Sequence, residues 1–137
     1  LVEDCGFDAA LDYKAPDFEA QFAEASTDGW DVLFDNVGNA SIDRALPAMR
    51  MQGRIVVSGQ VADYNLTPQQ APGIHNTREF IGKRLRMEGL VVFDDLPQFP
   101  AAQAELAGLI RAGRIAYREE IFDGIAQLPA AFCGLFT

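Results

Sequence analysis

The sequence has 137 residues and a net charge of −9, with 49% hydrophobic and 23% charged residues. This length and balance are typical of one globular domain with its own core. The acidic charge argues against nucleic acid or an anionic membrane surface as the main partner, because both attract basic patches. No apolar run approaches the ~20 residues of a membrane span.

The two cysteines, Cys5 and Cys133, are far apart, and neither has a Cys or His neighbour. They predict free thiols in a reducing, cytoplasmic compartment. The single histidine, His75, has no partners at ligand spacing, so no metal site is expected. The sequence starts without an initiator Met or an apolar signal segment, and we expect a piece of a longer chain.

Apolar runs alternate with helical patterns in the first half of the chain. The predicted elements are a short strand at 10–13, a helix capped by Asp17 with Phe18, Phe22 and Ala25 on one face, a buried strand at 30–34, and a helix at 41–51 that Pro47 shortens and Gly53 ends. Residues 54–59 predict a strong strand, and their run of Ile and Val suits a sheet covered on both faces.

The second half begins with residues 60–76, where proline and glycine predict an irregular connection of a length that is usually functional. The predictions that follow are a basic helix at 77–87, a strand at 89–93, a helix at 100–112 closed by Gly113 with Ala102, Leu106, Leu109 and Ile110 facing inward, an extended segment at 115–122, and a helix at 128–136 opened by Pro129.

Strands and helices that alternate over short connections predict parallel strands joined by right-handed crossovers. The expected fold class is therefore α/β, a partial doubly wound (Rossmann-like) parallel sheet with at least four strands.

Three strand ends are expected side by side at one edge of this sheet, namely residues 35–38, 58–64 and 93–95. In open parallel sheets, ligands bind beyond the carboxyl ends of the strands. Asn36 offers an amide, Gly38 and Gly59 permit close backbone approach, and Tyr64 offers a phenol. Plainer interpretations remain open: a turn for Asn36 and Gly38, a loop anchor for Tyr64, and a solvated turn for the acidic pair after Phe93.

Several chemistries are excluded by motif. The sequence has no Gly-x-Ser-x-Gly elbow and no P-loop. It also lacks the Gly-x-Gly-x-x-Gly fingerprint of dinucleotide-binding sheets.

A specific resemblance comes from segments in a fixed order. They are Gly-Phe-Asp at 6–8, Asp-Tyr-Lys at 12–14, Asp-Val-Leu-Phe-Asp-Asn-Val-Gly at 31–38, Gly-Arg-Ile-Val-Val-Ser-Gly-Gln at 53–60, Tyr-Asn at 64–65, Arg-Met-Glu-Gly-Leu-Val-Val-Phe at 86–93, and the tail segments at 113–115, 119–121 and 128–132. The chain resembles, over almost its whole length, the zinc-independent medium-chain dehydrogenases/reductases. Within them it is most similar to the prostaglandin reductase / 2-alkenal reductase branch.

The resemblance implies a domain layout. Residues 1–116 would be the C-terminal part of a dinucleotide-binding domain, and 117–137 would start the return segment to an absent catalytic domain. The glycine-rich loop would lie upstream of Leu1 and a further strand beyond Thr137. The sheet is therefore expected to be truncated at both ends.

The resemblance also implies NADP as cofactor. The implied cofactor-binding residues are Tyr13 at the adenosine-phosphate end, Asn36 and Gly38 in the first turn, Ser58, Gly59, Gln60 and Tyr64 along the nicotinamide and its ribose, and Val92 and Phe93 at a strand end near the nicotinamide. One departure is Asn39, because this branch usually has a second glycine at that position. It puts the shape of the turn in question.

The implied reaction is hydride transfer from NADPH to the β-carbon of an α,β-unsaturated aldehyde or ketone, without a metal. Tyr64 is the catalytic candidate, as a hydrogen-bond donor to the enolate oxygen. Holding the nicotinamide ribose is its alternative role. A homodimer is also implied, because the strand matching 90–93 lies near the subunit contact in that family.

Two other functions stay open. One is a different nucleotide-binding α/β enzyme, quinone reductase-like or a methyltransferase, in which Asp35 would hold a ribose. The other is an inactive fragment that associates with a second copy through exposed strand edges. The 137-residue chain alone is expected to be inactive.

Overall fold

The computed structural model describes residues 2–135, which form two compact units. The larger, the sheet unit, is Ala9–Phe99. The smaller, the helical unit, consists of the described residues before and after it.

The sheet unit contains a three-stranded parallel sheet in the order β1-β2-β3. The strands are β1 (Trp30–Asp35), β2 (Met49–Val57) and β3 (Arg86–Gly89). Leu33 of β1 is opposite Ile55 of β2, which is opposite Met87 of β3. The predicted parallel α/β sheet is confirmed, but within residues 2–135 it has three strands rather than four or more.

The predicted strand at 10–13 does not form. Asp12 closes a local turn, in which its carbonyl accepts a hydrogen bond from Ala15 N (3.0 Å) and its Oδ1 accepts one from Lys14 N (2.9 Å). A strand needs a neighbour for its N–H and C=O groups, and no described strand pairs with the outer edge of β1. The short polar side chain therefore offers the backbone its better partner.

The helices are short apart from one. They are α1 (Val2–Cys5), α2 (Phe18–Ala25), α3 (Asn39–Ala45), α4 (Arg78–Lys83), α5 (Phe99–Arg111) and α6 (Leu128–Gly134), with 3-10 turns at Leu46–Ala48, Val61–Asp63, Val92–Gln98 and Ile125–Gln127. In α2, Phe18 and Phe22 are half-buried as predicted, whereas Ala25 is exposed. Asp17 precedes this helix without a side-chain capping bond.

Pro47 shortens the helix after β1, as predicted. The α-helix ends at Ala45, a 3-10 turn contains Pro47, and β2 begins at Met49. Gly53 consequently lies inside a strand, and the prediction that it ends the helix is wrong.

The first half of β2 contains an irregularity that was not predicted from the sequence. Trp30 is opposite Met49 but Val32 is opposite Arg54, so β2 carries extra residues between these pairs. Gln52 has a φ of 63°, and a Cβ on the buried Gly53 would lie 3.0 Å from the Arg50 carbonyl oxygen. A side chain does not fit there without moving the backbone.

The core lies on one face of the sheet. It consists of Ile42, Leu46, Met49, Ile55 and Leu85, with Trp30, Leu33, Val57, Ile74 and Phe80 packed around it. On the other face, Val32 and Phe34 are 49% and 56% exposed. The prediction of strands buried on both faces is therefore wrong for this chain, because α3, its 3-10 turn and α4 cover one side only.

The third strand lies earlier than predicted. Arg84 adopts left-handed geometry (φ 53°) and ends α4, and residues 86–89 then pair with 54–57 of β2. Val92 and Phe93 consequently fall in a 3-10 turn rather than in a strand. Backbone pairing with β2, and not the apolar run at 90–93, decides where this strand forms.

The helical unit contains α6 and nearly all of α5. α5 confirms the predicted helix, and Gly113 (φ 67°) ends it by donating to the Ile110 carbonyl at 3.0 Å. Ala102, Leu106 and Ile110 are exposed, so the predicted inward face is limited to the half-buried Leu109. Residues 115–122 form no strand, and α6 confirms the last helix up to Gly134. Its predicted end at Phe136 lies outside the described residues.

Cys5 and Cys133 are free thiols. No helix among residues 2–135 combines the length and apolar composition needed to cross a membrane.

The segment 60–76 is irregular as predicted, apart from the turn at Val61–Asp63, and α3 fixes its far end. Asp43 Oδ1 accepts hydrogen bonds from His75 N and Asn76 N, both at 2.7 Å, and the Asp43 carbonyl accepts one from Asn76 Nδ2 at 3.1 Å. The Asn76 N–H is the main reason that the pKa of the Asp43 carboxyl lies below its ordinary value of 3.8.

Replacing this acceptor tests the tether. Asp43→Ala should lower the free energy of unfolding by about 1–2 kcal/mol, because two backbone N–H groups lose a charged acceptor. Since the folded carboxyl has the lower pKa, its contribution is complete above 3.8 and is lost as the pH falls through the folded pKa. Urea unfolding at descending pH should show that the difference in free energy of unfolding between wild type and Asp43→Ala becomes smaller. A difference that is independent of pH would contradict the role of the charge.

Candidate functional site

The turn after β1 is organised by a buried carboxylate. Asp35 is 2% exposed, and its Oδ2 accepts hydrogen bonds from Gly38 N (2.8 Å) and Val37 N (3.1 Å). This Asx-type turn ends the strand and begins α3. With its side chain buried in that role, Asp35 is not placed to hold a ribose, the function that the methyltransferase alternative required.

The segment after β2 lies directly on this turn. Ser58 N and Gly59 N donate to the Asp35 carbonyl (2.8 and 3.3 Å), Val61 N donates to the Asn36 carbonyl (3.1 Å), and Ala62 N donates to the Val37 carbonyl (3.0 Å). Two of the three predicted strand ends, 35–38 and 58–64, are therefore adjacent. We call this joined pair of segments the carboxyl edge.

Gly38 and Gly59, which were predicted to allow a ligand to approach the backbone closely, are closely approached by other atoms of the protein. A Cβ on Gly59 would lie 3.3 Å from the Asn36 carbonyl oxygen. A Cβ on Gly38 would lie 2.7 Å from Asp63 Oδ2. Gly38 also has φ 137° and ψ −171°, a region that is essentially restricted to glycine.

Three side chains predicted to bind cofactor are exposed on the carboxyl edge. Asn36 and Ser58 have no side-chain hydrogen bond among the described residues, and Tyr64 is 72% exposed with its hydroxyl equally unpaired there. Their amide, hydroxyl and phenol groups face solvent. The edge thus presents donors and acceptors to a ligand through side chains.

The third predicted strand end is displaced. Leu90, directly after β3, donates to the Val57 carbonyl at 2.9 Å, so it marks the third strand end in place of Phe93. Val92 and Phe93 lie beyond it in the 3-10 turn, 55% and 70% exposed. The acidic pair after Phe93 lies in the same turn, exposed to solvent.

Tyr13 lies at a cavity that reaches the carboxyl edge, where Val37 and Ala62 also line it. Tyr13 lines this apolar cavity of about 660 Å³ together with aromatic side chains of α2 and β1 and with Val61. The cavity walls include Phe18, Phe22 and Trp30, of which the last two make an edge-on contact at 5.1 Å. Tyr13 itself is 72% exposed and does not belong to the hydrophobic core.

Two residues at the site, Asp63 and Asn39, were not predicted from the sequence to have a role there. Asp63 Oδ2 is buried beside Gly38 and has no hydrogen-bond partner among residues 2–135.

Asn39, which replaces the implied second glycine, is the first residue of α3. Its φ is not positive, so the turn does not require a glycine at this position. Its Nδ2 donates to the Pro72 carbonyl (2.9 Å), and its Oδ1 accepts from Gln60 Nε2 (3.2 Å). The only signal was its departure from the implied glycine.

A parallel α/β sheet with polar turns at its carboxyl ends is the architecture in which many nucleotide-binding proteins hold their ligands. The comparisons with known proteins identify the family. Residues 1–108 match the zinc-binding dehydrogenase family, and the chain belongs to this family of medium-chain dehydrogenases/reductases. Within residues 2–135, no group of three or more His, Cys, Asp or Glu residues is arranged to hold a metal ion.

The chain is similar to several reductases. It is 39% identical over 96% of its length to the NADP(+)-dependent 2-alkenal reductase of Nicotiana tabacum and 36% identical over 98% to the NADPH-dependent curcumin reductase of Escherichia coli (strain K12). The crystal structure of CurA from Vibrio vulnificus in complex with NADPH matches 98% of the chain with a TM-score of 0.81 and 32% identity. The chain spans 38%, 40% and 41% of these proteins, respectively.

The geometry of the first turn can be tested at Gly38. Gly38→Ala should lower the free energy of unfolding by about 1–3 kcal/mol, because the backbone conformation disfavours any side chain and the Cβ meets Asp63. The matched control is Gly82→Ala in α4, where an added Cβ has no neighbour within 4 Å. Denaturant unfolding of the control should show no loss, since alanine favours a helix interior. Equal effects at both positions would contradict a special conformation at Gly38.

Proposed function

We propose that the chain is part of the NADPH-binding domain of an oxidoreductase that reduces the C=C bond of α,β-unsaturated aldehydes or ketones. The observation that carries this proposal is the carboxyl edge, where two strand ends are joined and three exposed polar side chains have no hydrogen-bond partner among residues 2–135. The similarity to reductases named for NADPH and for alkenals supports the cofactor and the substrate class.

The hydrogen bonds of the edge indicate which half of the cofactor it contacts. The N–H groups of Ser58, Gly59, Val61 and Ala62 all donate to carbonyls of the first turn. They are therefore not available to cradle a pyrophosphate, which binds to free N–H groups. Side-chain amides and hydroxyls suit the carboxamide and ribose of the nicotinamide half.

The proposed contacts on the edge are those of Asn36, Gly38, Ser58, Gly59, Gln60 and Tyr64. The flanking contacts are Tyr13 at the adenosine-phosphate end and Val92 and Phe93 near the nicotinamide. The pyrophosphate contact would come from a region corresponding to the roughly three fifths of the relatives' length that this chain does not span.

The proposed reaction is a conjugate reduction. NADPH gives a hydride to the β-carbon, the C=C electron pair moves toward the carbonyl oxygen, and an enolate forms while NADPH becomes NADP⁺. A proton then adds to the α-carbon and restores the carbonyl. Tyr64 donates a hydrogen bond to the enolate oxygen and stabilises its developing charge.

Several features of the whole protein belong to the same proposal. Residues 1–116 would lie in the cofactor domain and 117–137 in the return to a catalytic domain. The enzyme would act in the cytoplasm without zinc, in keeping with the free thiols of Cys5 and Cys133. Its copies would pair as a homodimer through the outer edge of β3 and the exposed residues after it. The 137-residue chain alone would be inactive.

The test uses the full-length polypeptide that carries this chain. With NADPH deuterated at the transferable hydrogen and an alkenal, the product should be the saturated aldehyde with deuterium on the β-carbon. Tyr64→Phe should lower kcat by about ten-fold or more and leave the KM for NADPH within about two-fold, because it removes an interaction made in the transition state.

Mass spectrometry and NMR of the product locate the deuterium. Deuterium on the carbonyl carbon would overturn the proposed reaction. A raised KM for NADPH with unchanged kcat in Tyr64→Phe would instead assign Tyr64 to the nicotinamide ribose.

A further inference from the structure

The side chain of Asn39 connects the two ends of the long segment 60–76. Its Oδ1 accepts a hydrogen bond from Gln60 Nε2 at 3.2 Å, at the start of the segment. Its Nδ2 donates to the Pro72 carbonyl at 2.9 Å, near the end. One half-buried amide at the first residue of α3 thus holds two points that are twelve residues apart in sequence.

The start of the segment has further support, but only for its backbone. Val61 N and Ala62 N donate to the carbonyls of Asn36 and Val37. These bonds fix the chain and leave the side chain of Gln60 free to rotate. Among the described residues, Asn39 is the one group that hydrogen-bonds this side chain, so it alone determines where the Gln60 amide points.

The fixed Gln60 amide keeps unused hydrogen-bonding capacity. Its Nε2 gives one N–H to Asn39, and its Oε1 has no partner among residues 2–135. Gln60 is exposed and lies on the carboxyl edge next to Ser58 and Gly59. A fixed carbonyl oxygen at that place is an acceptor for a ligand N–H or O–H.

We propose that Asn39 is a positioning residue that orients Gln60 so that it accepts a hydrogen bond from the nicotinamide half of the dinucleotide. The inference rests on the proposed function, since it assumes that the carboxyl edge binds NADPH. The donors on that half of the cofactor are its carboxamide and its ribose hydroxyls. A rotationally fixed acceptor binds either donor more tightly, because less side-chain freedom is lost on binding.

The experiment measures the affinity of the full-length polypeptide for three probes. They are NADPH, 2′-phospho-ADP-ribose, which lacks the nicotinamide ring, and adenosine 2′,5′-bisphosphate, which lacks the whole nicotinamide half. Asn39→Ala should weaken NADPH binding by about three- to ten-fold, the effect of one hydrogen bond, and leave the bisphosphate within about two-fold. Equal weakening of NADPH and 2′-phospho-ADP-ribose would identify the ribose as donor, and weakening of NADPH alone would identify the carboxamide.

Two further variants separate positioning from folding. Asn39→Asp keeps an acceptor for Gln60 Nε2 and loses the donor to Pro72, so the ratio of NADPH affinity to bisphosphate affinity should return to that of wild type. Asp43→Asn changes the other tether of the same segment, away from Gln60. It should alter stability and leave that ratio unchanged.

The inference would be overturned if NADPH affinity in Asn39→Ala equalled that of wild type, or if NADPH and the bisphosphate weakened by the same factor. A wild-type polypeptide that binds the bisphosphate but not NADPH would instead count against the proposed function.

Discussion

The carboxyl edge of this sheet depends on Asp35. Its buried carboxylate accepts the N–H groups of Val37 and Gly38 and shapes the turn after β1, while its carbonyl accepts those of Ser58 and Gly59 after β2. One residue therefore ends a strand, begins α3 and attaches the neighbouring strand's loop. Because a buried carboxylate is costly unless it is hydrogen-bonded, these bonds hold the edge in one arrangement.

That arrangement determines what the edge can bind. The N–H groups of Ser58, Gly59, Val61 and Ala62 donate to carbonyls within the protein, whereas the side chains of Asn36, Ser58, Gln60 and Tyr64 are exposed. The edge is accordingly suited to uncharged polar groups rather than to phosphates. Under the proposed function, these uncharged groups would be the nicotinamide carboxamide and its ribose.

The sequence was sufficient for the features set by local pattern. The apolar run of β2, the strand and polar turn of β1 and the effect of Pro47 all followed from short stretches. It was insufficient where distant backbone pairing decides. Arg86–Gly89 pairs with β2 although the apolar run follows it, and residues 10–13 form a turn because no described strand pairs beside β1. The Asn39 bridge spans loops that no periodicity connects.

Asn36 is exposed in the first turn of the carboxyl edge, and its side-chain amide has no hydrogen-bond partner among residues 2–135. The decisive measurement is the Kd of NADPH for the full-length polypeptide in three forms: wild type, Asn36→Ala and the control Gln103→Ala, which removes an exposed amide on α5. Asn36→Ala should weaken binding by about five-fold or more, while the control matches wild type. Identical affinity in all three forms would contradict a role of the carboxyl edge in NADPH binding.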